Sequence, residues 1–275
     1  MSVTRTHTAE ATTGPRPGTG TGPGAARRIR AGAVALLSAA CTALLAAGAP
    51  ASATATRTTV TGTAATGVPL PYRMADTGGG DQLITARAPG TSATTGTVSW
   101  WQRHHGRWRR AGSAPARFGS GGLTEGRTRV QGTSTTPTGL YGLPFGFGTG
   151  PAPAGTVLPY RRIGSDSWWC QDNASASYNR WVRPLPPDCA ARESERLADY
   201  PEQYARALVI AFNYRHPVRG RGAGIFLHVN GEGATAGCVS VPAGAMARIL
   251  AWVRPAARPH IAIGTADGPT ALTRY

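Results

Sequence analysis

A histidine late in one β-prone run and a cysteine at the start of the next are the residues of this chain best placed for covalent chemistry. The stretch reads Gly224-Ile225-Phe226-Leu227-His228-Val229, then Asn230-Gly231-Glu232-Gly233-Ala234-Thr235-Ala236-Gly237, then Cys238-Val239-Ser240-Val241-Pro242. A thiolate is a strong nucleophile, and an imidazole beside it takes the thiol proton. The two-residue period of a strand puts Ile225, Leu227 and Val229 on one face, and Phe226 and His228 on the other. Gly231, Gly233 and Gly237 make the connection a turn that returns Cys238 toward His228. Gly237 lets a substrate approach the backbone closely, and the N–H of Cys238 points at a developing oxyanion. The competing reading makes Cys238 a small buried hydrophobe and His228 a satisfied core histidine. The glycine-rich connection between them favours chemistry.

The elements that must position this pair are legible around it. Residues 82–86 read as a strand, and residues 96–101 and 106–111 as a hairpin with Arg103-His104-His105-Gly106 at its turn. No acid or cysteine completes a metal site around His104 and His105, so they belong to an exposed turn. Trp100, Trp101 and Trp108 alternate with basic residues; they suit sugar stacking or, more simply, packing of the hairpin. In Thr136-Pro137-Thr138-Gly139-Leu140-Tyr141, the proline and glycine punctuate a turn and Tyr141 opens a strand. Residues 192–204 are polar, helical or irregular. Residues 205–214 read as a strand whose apolar run, Leu208 to Phe212, implies burial on both faces. A basic loop with Arg215, Arg219 and Arg221 leads into the histidine strand. Residues 243–253 carry helical spacing, with Met246, Ile249, Leu250 and Val253 in one stripe. Residues 260–264 form a last strand.

The central stretch resembles the signature of the L,D-transpeptidase (YkuD-like) family. The resemblance is to its short-spaced branch, with Ile225-Phe226-Leu227-His228 followed by Thr235-Ala236-Gly237-Cys238. The Thr136-Pro137-Thr138-Gly139 segment, Trp169 with Asp172, and Tyr178-Asn179 resemble further pieces of that branch. Two positions depart from the common pattern. Ala236 stands where many members have histidine, and Ser240 where many have arginine or asparagine. The resemblance implies a mostly β domain, a sandwich of mixed sheets with one or two short helices. It implies a secreted enzyme that cross-links peptidoglycan stem peptides through a thioester on Cys238, with His228 as base. The carbonyl of Val229 would orient the imidazole, and the N–H groups of Gly237 and Cys238 would line the oxyanion hole. Thr235, Ala236 and Ser240 would meet substrate, and the three loop arginines are candidates for its carboxylates. L,D-carboxypeptidase activity on the same stems is the near alternative. A non-catalytic wall-binding protein that keeps the fold is the distant one.

Composition narrows the remaining classes. The 275 residues carry a formal charge of +16, and all 29 basic side chains are arginine. The absence of lysine excludes Ser-x-x-Lys and Schiff-base chemistry. No zinc-protease or Walker motif occurs, and no cofactor or metal is called for. The positive charge favours an anionic partner such as a bacterial wall; no nucleic-acid motif is visible. Of the four cysteines, Cys41 falls in an apolar leader. The odd remainder implies one disulfide, Cys170 with Cys189, and a free thiol at Cys238. Arg27, Arg28 and Arg30 precede an Ala/Leu-rich run, and Ala51-Ser52-Ala53 matches a cleavage site, so residues 1–53 read as a disordered extension plus signal peptide. A marginal membrane anchor, a twin-arginine signal and lipidation at Cys41 are weaker fits. A Thr/Ala-rich linker at 54–67 then leads into one catalytic domain at 68–275, with no stable anchor after cleavage.

Overall fold

The structure is a computed structural model that describes residues 67–275. The leader, its cleavage site and nearly all of the linker lie outside the described residues. The strands are β1 (Gln82–Ala88), β2 (Thr95–His104), β3 (Arg107–Arg117), β4 (Leu123–Glu125), β5 (Thr136–Gly142), β6 (Gly146–Gly148) and β7 (Tyr160–Arg162). They continue as β8 (Trp168–Cys170), β9 (Arg180–Val182), β10 (Glu195–Arg196), β11 (Ala207–Val209), β12 (Phe226–Val229), β13 (Val239–Val241) and β14 (His260–Thr265). One α-helix, α1 (Ala243–Trp252), stands among them.

Eleven strands form one mixed sheet in the order β4-β5-β14-β1-β2-β3-β13-β12-β11-β6-β7, and β10-β8-β9 form a second, smaller sheet. The ladder is thinnest between β3 and β13, where the one registered pair is Ser240 with Arg117. The two halves on either side of that seam fold onto one another. Ile84, Val98, Trp100, Ile261 and Ile263 from one half share a core with Leu208, Ile225, Leu227, Val239 and Val241 from the other. Helix α1 closes this core with Ala245, Met246, Ile249 and Leu250. The sandwich implied by the family resemblance is therefore a single sheet bent at a seam, with its inner faces together.

The hairpin is longer than the sequence suggests. β2 and β3 pair from Thr95–Arg117 to His104–Arg107. His105 and Gly106 both take positive φ, which gives the two-residue turn whose twist suits a hairpin. Trp100 enters the main core, while Trp101 and Trp108 are buried with Leu83, Ala262 and Leu272 on the outer face. None of the three is free to stack on a sugar.

Two strand boundaries differ from the sequence reading. The Thr136-Pro137-Thr138-Gly139 segment is not a turn before a strand but the first half of β5 itself. It pairs in parallel with β4 through Pro137 and antiparallel with β14 through Gly139. Proline is tolerated there because its nitrogen faces away from β4: Thr136 and Thr138 make the bonds on that side, to Gly122 O and from Gly126 N, and the registered pairs with β14 begin only at Gly139. The strand expected over residues 205–214 is only Ala207–Val209. The apolar run beyond it leaves the ladder but stays buried, with Ile210 and Phe212 in the main core.

The connection that carries the cysteine is also not a hairpin. β12 and β13 run parallel, pairing Leu227 with Val239, His228 with Ser240 and Val229 with Val241. Residues 230–238 must therefore travel back along the full length of β12. Arg117 pins this return, its Nη1 donating to the carbonyls of Gly231 at 2.6 Å and Gly233 at 3.2 Å. Further on, Thr235 pairs with the backbone after β3, through Thr235 N to Phe118 O and Ser120 N to Thr235 O, both 2.8 Å.

Candidate active site

The parallel register decides which face His228 and Cys238 share. Laterally paired residues of parallel strands face the same way. Cys238 stands one step before the Leu227–Val239 pair, beside Phe226, so its side chain shares the outer face with Phe226 and His228. There Phe226 sits in an aromatic cluster. Its ring meets Trp169 at 4.9 Å, Phe147 at 5.0 Å and Tyr204 at 5.7 Å, all near-perpendicular. Such pairs add about 0.5–1.5 kcal/mol each beyond buried area, enough to fix the strand that carries the histidine. Tyr204 also stands edge-on to the His228 ring at 5.5 Å.

His228 Nδ1 lies 2.8 Å from the carbonyl oxygen of Val229. A carbonyl only accepts, so Nδ1 carries the proton and Nε2 presents a lone pair. Burial, partly offset by the Val229 hydrogen bond, lowers the His228 pKa to about 4, so the ring is neutral at pH 7. Cys238 is pushed the other way, to about 12, by burial first and by the Glu195 carboxylate second. The Phe226 N–H and Arg129 act against that rise. The resting pair is thus a neutral thiol and a neutral imidazole.

The thiol is held by the backbone. Sγ accepts from Phe226 N at 3.3 Å and donates to Gly224 O at 3.4 Å, and no hydrogen bond joins it to His228. Gly224 is itself anchored, its N–H donating to Asn179 Oδ1 at 3.1 Å. Asn179 takes a positive φ, which asparagine tolerates, and its amide donates to the carbonyls of Phe212 at 3.1 Å and Asn213 at 2.6 Å. The Tyr178-Asn179 pair flagged in the sequence therefore acts as a fastener beneath the thiol.

Thr235 folds the chain around Cys238. Its Oγ1 donates to Cys238 O at 2.7 Å and accepts from Gly237 N at 3.1 Å. Thr136 Oγ1 adds a second donor to Cys238 O at 3.2 Å. The Gly237 N–H is engaged in this turn. Of the two N–H groups expected at an oxyanion, that of Cys238 is the one without an acceptor among the described residues.

Cys238 and His228 open onto a cleft of about 600 Å³. Thr235 and Ala236 line it, as their positions in the sequence suggest, but Ser240 does not. Ser240 is fully buried at the sheet seam, its Oγ donating to Asn230 Oδ1 at 2.8 Å. The loop arginines are elsewhere too. Arg215 is exposed, Arg219 donates to the carbonyl of Asn173, and Arg221 borders a separate depression with Tyr141 and Phe212. The far wall of the cleft comes from residues that the sequence reading passed over: Gln171, Glu195, Tyr204 and, from the loop before β5, Arg129. They lie in segments with no periodicity, and one arginine among 29 basic residues carries no signal of its own.

Glu195 is the titrating member of that wall. The Tyr204 hydroxyl donates to Oε1, and Gln171 Nε2 donates to Oε2 at 3.1 Å. Burial outweighs these bonds and raises its pKa to about 7. Its charge opposes a thiolate at Cys238 only above that pH. In Glu195→Gln the opposition is absent throughout. Above about pH 8 the variant's Cys238 should be alkylated by iodoacetamide several-fold faster than the parent's, and below about pH 6 the rates should converge. Equal rates at every pH would show that the carboxylate does not act on the thiol.

Comparison with known proteins places this arrangement. Residues 92–265 match the family model of the YkuD L,D-transpeptidase catalytic domain. The chain belongs to this family. The match takes in β2 through β14, the whole cleft, and both His228 and Cys238. Among solved structures, the structure of Bdellovibrio bacteriovorus Bd1075 is similar over 67% of this chain and 48% of that one, at 15% identity and a TM-score of 0.35. This chain thus spans about half the length of that structure. No curated protein matches the sequence. The mostly β fold with one large mixed sheet agrees with the family. The Cys170–Cys189 disulfide is present and Cys238 is free, and no helix of the described residues is long and apolar enough to cross a membrane.

Proposed function

We propose that this protein is a secreted L,D-transpeptidase that uses Cys238 as nucleophile and His228 as general base on peptidoglycan stem tetrapeptides. The observation that carries this reading is the placement of the pair. A buried imidazole, its tautomer set by Val229 O, shares one face of β12 and β13 with a free thiol at the floor of a cleft.

The chemistry follows from that placement. At rest the thiol faces Gly224 O, and with pKa values near 12 and 4 an ion pair with His228 is strongly disfavoured. The thiol therefore turns to Nε2 and gives up its proton as Sγ bonds to the donor carbonyl, rather than beforehand. The Cys238 N–H meets the oxyanion so formed. The tetrahedral species collapses by breaking the bond to the terminal D-Ala nitrogen, which takes the proton back from His228. The thioester is then resolved by an amine of a second stem, whose proton passes to His228 as the thiol is regenerated. Water in the amine's place makes the reaction a carboxypeptidase one. The product ratio measured with both acceptors present decides between transfer and hydrolysis.

The direct test is intact-mass analysis after incubation with a stem tetrapeptide or with a carbapenem, an acylating β-lactam. The expected product is a single adduct that peptide mapping assigns to Cys238. An adduct on another residue, or none with either reagent, rejects the reading.

Export belongs to the same proposal. The arginine cluster, the apolar run and Ala51-Ser52-Ala53 motivate a mature N-terminus at Thr54. The disulfide supports an oxidising compartment. N-terminal sequencing of secreted material checks it; an intact leader on the active protein would instead mean an anchor.

A further inference from the structure

The cleft contains a buried cation that the reaction described above leaves unused. Arg129 is 6% exposed, and none of the ion pairs among the described residues includes it. A buried charge without a counter-ion is costly, so an unpaired buried arginine asks for a ligand or a structural reason. The structural reason is partial. Nε donates to Thr135 O at 2.7 Å and Nη1 to Arg221 O at 3.1 Å, which leaves Nη2 without an acceptor among the described residues.

The chain makes room for this guanidinium beside the nucleophile. A Cβ on Gly222 would stand 1.7 Å from Nη1, and one on Gly237 would stand 2.9 Å from Nη2. Both glycines also take φ values that other residues rarely adopt, +111° and +130°. Gly237 immediately precedes Cys238, so the free edge of the fork borders the reacting centre. Arg192, the other arginine of the cleft, is exposed and lies 3.6 Å from Glu193. It does not share these features.

We propose that Arg129 is the specificity residue of the cleft and holds the C-terminal carboxylate of the donor peptide, one residue beyond the scissile carbonyl. This rests on the acyl-transfer reading of the site. A guanidinium with two free N–H groups on one nitrogen is a directional carboxylate receptor, and burial strengthens the bond by excluding water. Of the donor's carboxylates, the one fewest bonds from the scissile carbonyl is that of the residue being released. Arg129 therefore selects donors that end one residue after the cleaved bond, and disfavours longer or amidated ones.

The test separates this from the chemistry. The Cys238→Ser protein, which binds without turnover, is titrated calorimetrically with a stem tetrapeptide and with its C-terminal carboxamide. The free acid should bind at least about tenfold more tightly, the magnitude of a charged hydrogen bond. Adding Arg129→Met should bring the two affinities together by weakening the acid alone, and Arg129→Lys should restore part of the preference. Equal binding of acid and amide by the Cys238→Ser protein overturns the proposal, as does a preference that persists in the methionine variant or no binding of the acid. The first of these needs no Arg129 variant, so it holds even if arginine removal prevents folding. Acylation of Cys238 in the parent protein is read separately by mass, and its failure rejects the transfer reading without deciding what Arg129 binds.

Discussion

Cys238→Ser should abolish turnover, His228→Ala should lower it by about 10²–10⁴-fold, and the double variant should be little worse than Cys238→Ser. The reason is that the two groups serve one proton transfer. A thiol pushed up to about 12 is a poor nucleophile unless its proton has somewhere to go during attack. The serine variant should keep its thermal midpoint, because the side chains are similar in size and a hydroxyl can make the same bonds to Phe226 N and Gly224 O. His228 is 6% exposed and packs against Tyr204, so alanine there also opens a cavity, at a cost of about 1–3 kcal/mol. His228→Gln keeps most of the volume and isolates the chemical loss. Activity retained in a destabilised His228→Ala protein would make His228 a core residue and return the site to the bland reading of a buried histidine and a buried thiol.

Reduction of the Cys170–Cys189 disulfide should cost stability and, with it, the shape of the cleft. The bond spans a sequence separation of 19, for which the chain-entropy model gives about 3 kcal/mol. In a domain of this size that corresponds to a fall in thermal midpoint of about 6–12 °C. The loop it closes is otherwise held by two carboxylates. Asp172 accepts from Ala190 N at 2.9 Å and Ala174 N at 2.8 Å, and Asp188 accepts from Ala176 N at 2.8 Å and Ser175 Oγ at 3.0 Å. Gln171 follows Cys170 directly, and its N–H donates to Ser194 Oγ, the neighbour of Glu195. Loosening the bridge should therefore release Gln171 and Glu195 together. A Cys170→Ser, Cys189→Ser variant should show a lower midpoint by scanning calorimetry and slower acylation of Cys238. An unchanged midpoint would show that the two carboxylates suffice. Linkage of Cys238 to either cysteine in non-reducing peptide maps would remove the nucleophile from the mechanism.

Local signals in the sequence were enough for part of this protein. The two-residue alternation from Ile225 to Val229 is physical: the odd positions enter the main core and Phe226 enters the aromatic cluster on the opposite face. The stripe of α1 and the odd cysteine count are likewise short-range or arithmetic facts, and the helix, the bridge and the free thiol all follow from them. Other features depend on partners far apart in the chain. Pro137 sits inside a strand because its nitrogen faces the β14 side, where the registered pairs begin only at Gly139. Ser240 lies two residues after the cysteine, yet it is buried because β13 forms the seam with β3. The parallel pairing of β12 with β13 also escapes local reading, since a nine-residue glycine-rich connection looks like a hairpin until Arg117 and Phe118 are seen to hold it back. The sequence by itself determined which residue types could react and how the strand carrying the histidine would divide its side chains between two faces, because periodicity and residue chemistry are local. Only the tertiary structure decided that Arg129, Glu195 and Tyr204 line the cleft with them. Those side chains come from irregular segments whose positions are set by long-range packing and hydrogen bonding, and no pattern within the segments themselves encodes it.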